Sequence, residues 1–382
     1  MVTEMFENIV LLNDLWAAYF EARKHKRNTM NALTYEQKLE HNIYVLYREL
    51  LERRYHLSPS ICFIVNEPVK REIFAAHFRD RIIHHYIIRK LMPIFENQFI
   101  YDTYSCRVGK GTLFGIKRLE YFMRSATHNY TKEAYILKLD LSGFFMSINK
   151  NVLWEMVSQL VLRKYFGCDK DLLLYLTELV IMNNPTKGCI LKGQKRDWEG
   201  LPFNKSLFCA KPGCGLPIGN LTSQVFANYY LTPFDRFVKE TLKMRCYGRY
   251  VDDFFIIHED KSLLLSLIPV ISKYLKNTIA VTLHPKKIYL QPCSRGVTYL
   301  GCHIKPWGVF LSKRTQSNME QLVRELNTMD FSKLHQDEIK LERSRWDSYF
   351  GQQRHYELFR YCRDIMTHLP DACFETCALV HE

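Results

Sequence analysis

The sequence feature that most restricts the fold of this chain is a pair of adjacent carboxylates, Asp252-Asp253, inside an apolar run. Aromatic and apolar residues on both sides of the pair, in 246–251 and 254–257, predict two strands joined by a tight turn. An exposed hairpin turn more often has Gly or Asn at its centre. Because neighbouring like charges repel and are costly to remove from water, the pair indicates a site for a divalent cation. An ordinary acidic turn is the alternative interpretation.

A second carboxylate of the same character, Asp140, ends a strand-like apolar run upstream and is followed by Leu141, Ser142 and Gly143. Hard divalent ions such as Mg²⁺ bind a few carboxylate oxygens together with substrate phosphates. One Asp from a strand and two from a neighbouring hairpin therefore suit a two-metal site for phosphoryl transfer. We expect two Mg²⁺ ions as cofactors.

Between these carboxylates lies the segment Gly-Leu-Pro-Ile-Gly-Asn-Leu-Thr-Ser-Gln at 215–224. A strand-borne Asp, this glycine loop and a Tyr-x-Asp-Asp hairpin, in that order, resemble the palm of reverse transcriptases, and the resemblance is good over about residues 56–304. It implies an α+β, right-hand polymerase fold with fingers, a palm made of an antiparallel sheet backed by helices, and a helical thumb. The activity it implies is RNA-directed DNA polymerase activity, a nucleotidyltransferase reaction.

The division of the chain into subdomains follows from helical spacing in the first part and from the resemblance elsewhere. Residues 1–55 have apolar positions at helical spacing and are predicted to be an N-terminal helical extension. The remaining boundaries are fingers at 56–130 and 152–212, palm at 131–151 and 213–304, and a helical thumb at 305–382. Within the fingers, the strand-like segment 61–74 is expected to lead into a helix whose inner face is Phe74, Phe78, Ile82 and Tyr86.

The third motif narrows the resemblance further. Most reverse transcriptases begin it with Gln-Gly and end it with Ser-Pro, whereas this chain has Ile218-Gly219 and Ser223-Gln224. That variant resembles the enzymes of diversity-generating retroelements, which copy a template RNA into cDNA with frequent errors opposite adenine. The resemblance implies a bacterial or phage-encoded enzyme that works with a small, basic, oligomeric accessory variability protein. A group II intron or retron-type reverse transcriptase, or a catalytically inactive palm-fold RNA-binding protein, are the alternatives.

The resemblance also implies roles for individual residues. The predicted catalytic residues are Asp140, Asp252, Asp253 and, as the general acid, either Lys286 or Lys287. The predicted metal ligands are the three aspartates and the Leu141 carbonyl. The predicted nucleotide-binding residues are Lys70, Arg71, Leu141, Phe145, Ile218, Gly219, Gln224 and Tyr250.

Three of these assignments carry a specific expectation. Arg71, assisted by Lys70, is expected to bind the triphosphate, since a guanidinium meets phosphate oxygens with two parallel hydrogen bonds. Phe145 is expected to exclude a ribose 2′-hydroxyl. Ile218 cannot donate the hydrogen bond that Gln supplies at this position in relatives, which is our hypothesis for a high error rate. Simple packing of the loop by Ile218 is the alternative.

Composition agrees with a nucleic-acid enzyme without requiring one. The 53 Lys and Arg residues exceed the 40 Asp and Glu residues, giving a formal net charge of +13. Such a charge favours polyanionic partners, here template RNA and cDNA, although it also serves solubility. The sequence contains no apolar run of membrane-spanning length, and Glu4 and Glu7 occupy a region where a secretory signal would be basic. We therefore expect a cytoplasmic protein without membrane association.

Overall fold

Helices and short strands alternate along the chain. We describe a computed structural model of residues 2–24, 26–66, 69–330, 333 and 335–353. The helices of these residues are α1 (Val2–Arg23), α2 (Met30–Glu36), α3 (Leu39–Leu51), α4 (Phe78–Glu96), α5 (Thr112–Ala126), α6 (Phe144–Ser147), α7 (Lys150–Lys164), α8 (Lys170–Met182), α9 (Leu221–Tyr230), α10 (Thr232–Arg236), α11 (Lys261–Ile279), α12 (Lys313–Thr328) and α13 (Gln336–Gln353). The strands are β1 (Ile61–Val65), β2 (Arg71–Ala75), β3 (Tyr135–Leu141), β4 (Ile190–Leu191), β5 (Cys246–Tyr250), β6 (Asp253–His258), β7 (Leu283–Pro292), β8 (Val297–Tyr299), β9 (Cys302–Lys305) and β10 (Gly308–Leu311). None of the described helices has both the length and the apolar character that crossing a bilayer requires.

The central sheet is antiparallel and has the strand order β5-β6-β3-β7. Both of its faces are covered, which explains why the two central strands, β3 and β6, are nearly continuous apolar runs in the sequence. One face, including Leu137, Leu139 and Phe254, packs into the large core that also contains α4, α9 and α11. The other face, including Ile136 and Phe255, packs against α5 and the strands β8 and β9. An antiparallel sheet backed by helices is the predicted palm.

The N-terminal helices α1, α2 and α3 pack against one another and onto the central helix α4. Charged pairs join the two layers: Lys90 on α4 lies 2.5 Å from Asp14 on α1, and Arg79 on α4 forms an ion pair with Glu49 on α3. Lys90 also lies 3.2 Å from Asp169, which connects α8 to the same contact. The N-terminal extension is therefore part of the folded body.

The segment 61–75 differs from the sequence-based expectation of one strand that leads into a helix. It forms an antiparallel hairpin of β1 and β2, and the short strand β4 from the distant segment 190–191 pairs in parallel with β1. Phe74, expected on the inner face of the following helix, belongs to β2, and α4 begins only at Phe78. Lys70 and Arg71 consequently lie where β2 starts.

The predicted thumb begins with a strand. Helical patterns were expected from Pro306 onward, but 308–311 form β10, which pairs with β9 in the sheet β10-β9-β8. The amphipathic helix α12 follows, with Ser312 capping its N-terminus by accepting a hydrogen bond from the Thr315 amide. The helix α13 completes the described part of this region, and 354–382 of the predicted thumb lie outside the described residues.

Candidate active site

The three predicted carboxylates converge because of strand register. β5 and β6 form a hairpin whose turn is Val251-Asp252, and Val251 adopts the left-handed conformation with φ of 54°. Asp140 on β3 is the direct cross-strand partner of Asp253 on β6. Paired residues of adjacent strands project to the same face. The register therefore places Asp140 and Asp253 side by side, with Asp252 at the adjoining turn.

Burial makes this cluster electrostatically unfavourable. Desolvation, together with the charge of Asp140, raises the pKa of Asp252 to about 6. Desolvation likewise raises the pKa of Asp253 to about 7, although the nearby Lys138 opposes it. The Oδ1 atom of Asp253 is buried and accepts no hydrogen bond. A buried carboxylate oxygen without a partner is costly, so the site favours a bound cation.

Two lysines supply part of the missing positive charge. Lys287 Nζ lies 2.9 Å from Asp140 Oδ2, and Lys138 Nζ lies 3.1 Å from Asp253 Oδ2. Burial alone would lower the pKa of Lys287, but the hydrogen bond and charge of Asp140 outweigh it and raise the pKa. Lys138 was not among the predicted site residues. Its position two residues before Asp140 on a strand, and therefore on the same face, was the available signal.

The donor set suits a hard divalent cation, although no metal site is preassembled. Among the described residues, no three His, Cys, Asp or Glu side chains are grouped closely enough to hold a metal ion. Asp140 and Asp253 each form an ion pair with one of the two lysines. The three carboxylates nevertheless supply the kind of oxygen ligand that Mg²⁺ prefers, and one of their oxygens is buried without a partner.

One large open cavity contains most of the predicted site. The predicted residues that line it are Lys70, Arg71, Asp140, Leu141, Phe145, Ile218, Gln224, Tyr250, Asp252, Asp253 and Lys287. Lys286 and Gly219 do not line it. Both lysines are exposed, but Lys287 is the one that contacts a carboxylate. The geometry therefore favours Lys287 where the sequence left both open.

Gly219 supports the site from beneath the cavity. Its φ is 118°, and a Cβ atom there would lie 2.8 Å from Ile73 Cγ2 and 3.3 Å from the Phe74 carbonyl oxygen. The amide of Phe74 donates a 2.8 Å hydrogen bond to the carbonyl of Ile218. Only glycine permits this close approach between the third motif and β2. The contact sets where Ile218 meets the cavity.

Phe145 is fixed at the cavity wall by a tight local turn. Gly143, with φ of 52°, starts the short helix α6, and a Cβ atom on it would lie 2.6 Å from the carbonyl oxygen of Asn204. The carbonyl of Phe145 accepts a 2.9 Å hydrogen bond from the Leu216 amide. The backbone of Phe145, the residue expected to exclude a ribose 2′-hydroxyl, is thus hydrogen-bonded to the third motif.

The cationic wall of the cavity comes from the start of β2. Arg71 lies close enough to Asp252 for its positive charge to oppose the rise in that carboxyl's pKa. Lys70 Nζ donates a 2.7 Å hydrogen bond to the Glu199 carbonyl, and buried Glu72 accepts from Trp198, Ser206 and the Leu207 amide. These contacts attach the segment 198–207 to the β1-β2 hairpin, which places Asn204 and Lys205 at the cavity.

Sequence comparison now decides the family. Residues 69–304 match the family model described as reverse transcriptase (RNA-dependent DNA polymerase). The chain belongs to the reverse transcriptase family. The predictions of a reverse transcriptase, of an enzyme and of a right-hand polymerase fold are thereby confirmed. A search of curated protein sequences with this chain finds no match.

Among solved structures, this reverse transcriptase family member is similar to yeast telomerases. A C-terminally truncated apo telomerase from Candida tropicalis has 14% identity and a TM-score of 0.47, with 67% of this chain and 56% of that chain covered. A telomerase from Candida albicans, in complex with a fragment of telomeric RNA, has 11% identity and a TM-score of 0.44, with 90% and 65% covered. The chain thus spans about half to two thirds of the length of these telomerases.

Proposed function

We propose that this chain synthesises DNA on an RNA template by nucleotidyl transfer at the Asp140, Asp252 and Asp253 cluster. One observation carries the proposal: strand register brings three carboxylates together in a cavity that is also lined by Arg71 and Phe145. Carboxylates for metal, a cation for phosphate and an aromatic ring for sugar are the groups that this reaction needs. Template RNA, the cDNA product and deoxynucleoside triphosphates are the proposed ligands.

We propose two Mg²⁺ ions as cofactors, held by the three aspartates and the Leu141 carbonyl. When bound, such ions lower the pKa of the attacking hydroxyl and neutralise charge on the departing pyrophosphate. The raised pKa values of Asp252 and Asp253 and the unpaired Asp253 oxygen support this assignment.

The chain's own side chains complete the proposed reaction. The Arg71 guanidinium binds the triphosphate, and the Phe145 ring lies against the sugar and excludes a 2′-hydroxyl. Lys287, whose pKa is raised by Asp140, carries a proton at the cavity and is positioned to donate it to the leaving pyrophosphate. Lys286 does not line the cavity and is not assigned this role.

Primer extension with an RNA template, a DNA primer, deoxynucleotides and Mg²⁺ tests the reaction. The wild-type chain should extend the primer only when all four components are present, and an Asp252→Ala variant that binds the template–primer equally well should not. Equal extension by the variant would place the chemistry elsewhere. Absence of extension by the wild type, with template–primer binding retained, would instead favour a palm-fold RNA-binding protein.

We further propose that the enzyme belongs to a diversity-generating retroelement and misincorporates opposite template adenine. The support is Ile218 and Gln224, which both line the cavity where the resemblance expects them. A basic oligomeric accessory variability protein is part of this proposal. Sequencing of cDNA should show errors concentrated at adenines, and Ile218→Gln should reduce them about fivefold, the effect of one hydrogen bond of about 1 kcal/mol. Uniform, infrequent errors would indicate a group II intron or retron-type enzyme.

A further inference from the structure

A second charged cluster lies on the opposite face of the hairpin from the carboxylates. Arg249 on β5 is fully buried, as is Asp235 on α10. Arg249 is the cross-strand partner of Phe254, whose ring belongs to the large core, so its side chain projects away from the cavity face. A buried charge three residues before Asp252 has no part in binding substrate. Its contacts show what it does instead.

Every N–H group of the Arg249 guanidinium has a partner. Nε and Nη2 bind the two carboxylate oxygens of Asp235 at 2.7 and 2.6 Å. Nη1 and Nη2 bind the side-chain and backbone oxygens of Asn228 at 3.1 and 3.2 Å, and Nη1 also donates to the Val251 carbonyl at 2.9 Å. These contacts account for all of the donors that a guanidinium has. The bond to Val251 is the one that reaches the catalytic turn.

Val251 holds a backbone conformation that a β-branched residue rarely adopts. Its φ of 54° lies in the left-handed region, where Cβ sterics oppose every residue except glycine. Its carbonyl belongs to the peptide group that carries the Asp252 amide, so the orientation of this carbonyl sets the direction of Asp252. A strained conformation persists only where the surrounding contacts hold it.

The same network reaches the third motif. Asn228 lies on α9 one helical turn beyond Gln224, and its side-chain amide donates a 3.0 Å hydrogen bond to the Ser105 carbonyl. The backbone of Arg249 exchanges hydrogen bonds with Asp102 and Tyr104 in the same loop. Cys106, which follows Ser105, has its thiol 3.7 Å from Gln224 Oε1. These hydrogen bonds therefore connect the Val251-Asp252 turn with α9 and with the loop 102–106, and both segments contribute residues to the cavity.

We propose that Arg249, held by Asp235 and Asn228, is a positioning residue that fixes the Val251-Asp252 turn for catalysis. It acts through the Val251 carbonyl and touches neither substrate nor metal. A merely structural ion pair would be replaceable by apolar side chains without a kinetic effect, because such replacements of buried pairs are often neutral for stability. A positioning residue is not replaceable in this way.

The double variant Arg249→Met/Asp235→Leu separates these possibilities. It removes both charges together, so that no unpaired buried charge remains, and it also removes the bond to Val251. The matched control is Arg79→Met/Glu49→Leu, the same chemical change at an ion pair between α3 and α4, where the control should keep wild-type kinetics. Template–primer affinity by fluorescence anisotropy, Tm, and kcat and KM for a deoxynucleotide are measured for both full-length variants.

We expect the double variant to remain folded and to keep template–primer affinity near that of wild type, although Tm should fall because the buried Tyr247 hydroxyl loses its acceptor Asp235. The kcat should fall at least about tenfold with KM nearly unchanged. A wild-type kcat in the folded double variant would overturn the proposal. If the double variant does not fold, Arg249→Lys replaces it, because Lys keeps the charge beside Asp235 but has no planar fork to reach Val251 as well. It should then show the same loss of kcat, and full activity would overturn the proposal.

A readout without catalysis separates this proposal from the proposed polymerase function, on which only its kinetic part rests. In protein labelled with ¹⁵N-valine, the Val251 amide signal is identified by its loss in Val251→Ile. That signal should shift or broaden in the Arg249→Met/Asp235→Leu variant and stay unchanged in the Arg79→Met/Glu49→Leu control. An unchanged Val251 signal would overturn the positioning proposal even if the wild type is an active polymerase. If the Val251 signal shifts in the double variant but the wild type shows no polymerase activity, the positioning proposal stands and only the polymerase proposal is refuted.

Discussion

The two faces of the β5-β6 hairpin carry charged groups that differ in how fully the protein supplies their partners. On one face, Arg249 and Asp235 are fully buried, and every guanidinium N–H has a partner within the protein. On the other face, Asp252 and Asp253 have raised pKa values, and one Asp253 oxygen has no hydrogen bond. The first cluster is complete within the chain. The second cluster leaves a buried carboxylate oxygen without a hydrogen-bond partner, and we propose that a metal ion completes it.

On one hairpin, this difference distinguishes charges that stabilise the fold from charges that we propose bind a ligand. Buried polar groups whose hydrogen-bond partners are all present make a fold rigid. A buried carboxylate oxygen without a partner indicates a candidate ligand-binding position. In this reverse transcriptase family member, we propose that metal and nucleotide occupy the position beside Asp252 and Asp253. The following predictions test whether the two faces differ as this comparison requires.

The largest expected effect is loss of synthesis in Asp252→Asn. Removing one carboxylate from the proposed metal site should lower kcat by about 10³-fold or more, because several kcal/mol of transition-state stabilisation are lost. Single-turnover primer extension measures the loss, and anisotropy checks that the template–primer still binds. A kcat within about tenfold of wild type would mean that this face is not the catalytic one.

For the free energy of unfolding, we expect the larger loss on the Arg249 face and not on the face with the carboxylates. Asp235→Asn leaves the Arg249 charge buried and uncompensated, and should lower the free energy of unfolding by about 3–5 kcal/mol. The same change at Asp253, in metal-free protein at about pH 8, should not lower it and should tend to raise it, because it removes an ionised carboxylate from an unfavourable position. Urea unfolding compares the two variants. Equal destabilisation would erase the proposed contrast.

The two adjacent lysines of β7 offer a matched pair. Lys287→Met should lower kcat by about 10²-fold, the usual contribution of a positioned general acid, whereas Lys286→Met should have little effect. Steady-state extension with each variant decides between them. A larger loss for Lys286 would contradict the position of Lys287 beside Asp140.

Phe145→Ala should have the smallest of these effects. Opening the cavity wall should reduce discrimination against ribonucleotides by about tenfold or more, since a shape-based pocket rejects a small extra group by about that factor. The ratio of kcat/KM for a deoxynucleotide and the matching ribonucleotide measures it. A ratio equal to that of wild type would remove Phe145 from the sugar site.

The residues of the proposed catalytic face were easier to predict from the sequence than those of the Arg249 face. Asp140, Asp252 and Asp253 stand out because acidic residues in apolar strands are unusual, and strand alternation then brings them together. Arg249 carries the same kind of signal, yet its partners Asp235 and Asn228 lie on helices whose packing local patterns do not reveal. Lys138 was missed although its spacing from Asp140 predicts its face.

Other errors have a similar physical origin. The hairpin of β1 and β2 was interpreted as one strand leading into a helix, because its connection at 66–70 has no Asn-Gly or Gly-Gly signal. The strand β10 was expected to be helical, and only its pairing with β9 shows otherwise. Choosing between Lys286 and Lys287 depended on which one faces Asp140, which requires the register of β7 against β3.

The contrast between the two faces has a consequence for pH. Burial raises the pKa values of Asp252 and Asp253 from 3.8 to about 6 and about 7, so the folded, metal-free chain favours their protonated forms. Their contribution to stability is therefore greatest below about pH 4 and is lost as pH rises through 6 to 7. A divalent cation should restore stability above this range, where both carboxylates are ionised and need a partner.

The most direct test of the central claim is the melting temperature of the metal-free chain with and without Mg²⁺, at about pH 8 and about pH 5.5. We predict that Mg²⁺ raises Tm by several degrees at the higher pH and by much less at the lower pH. The Asp252→Asn/Asp253→Asn double variant should show no Mg²⁺-dependent rise at either pH. An equal rise in the double variant and the wild type would contradict the claim that these carboxylates are the site the cation completes.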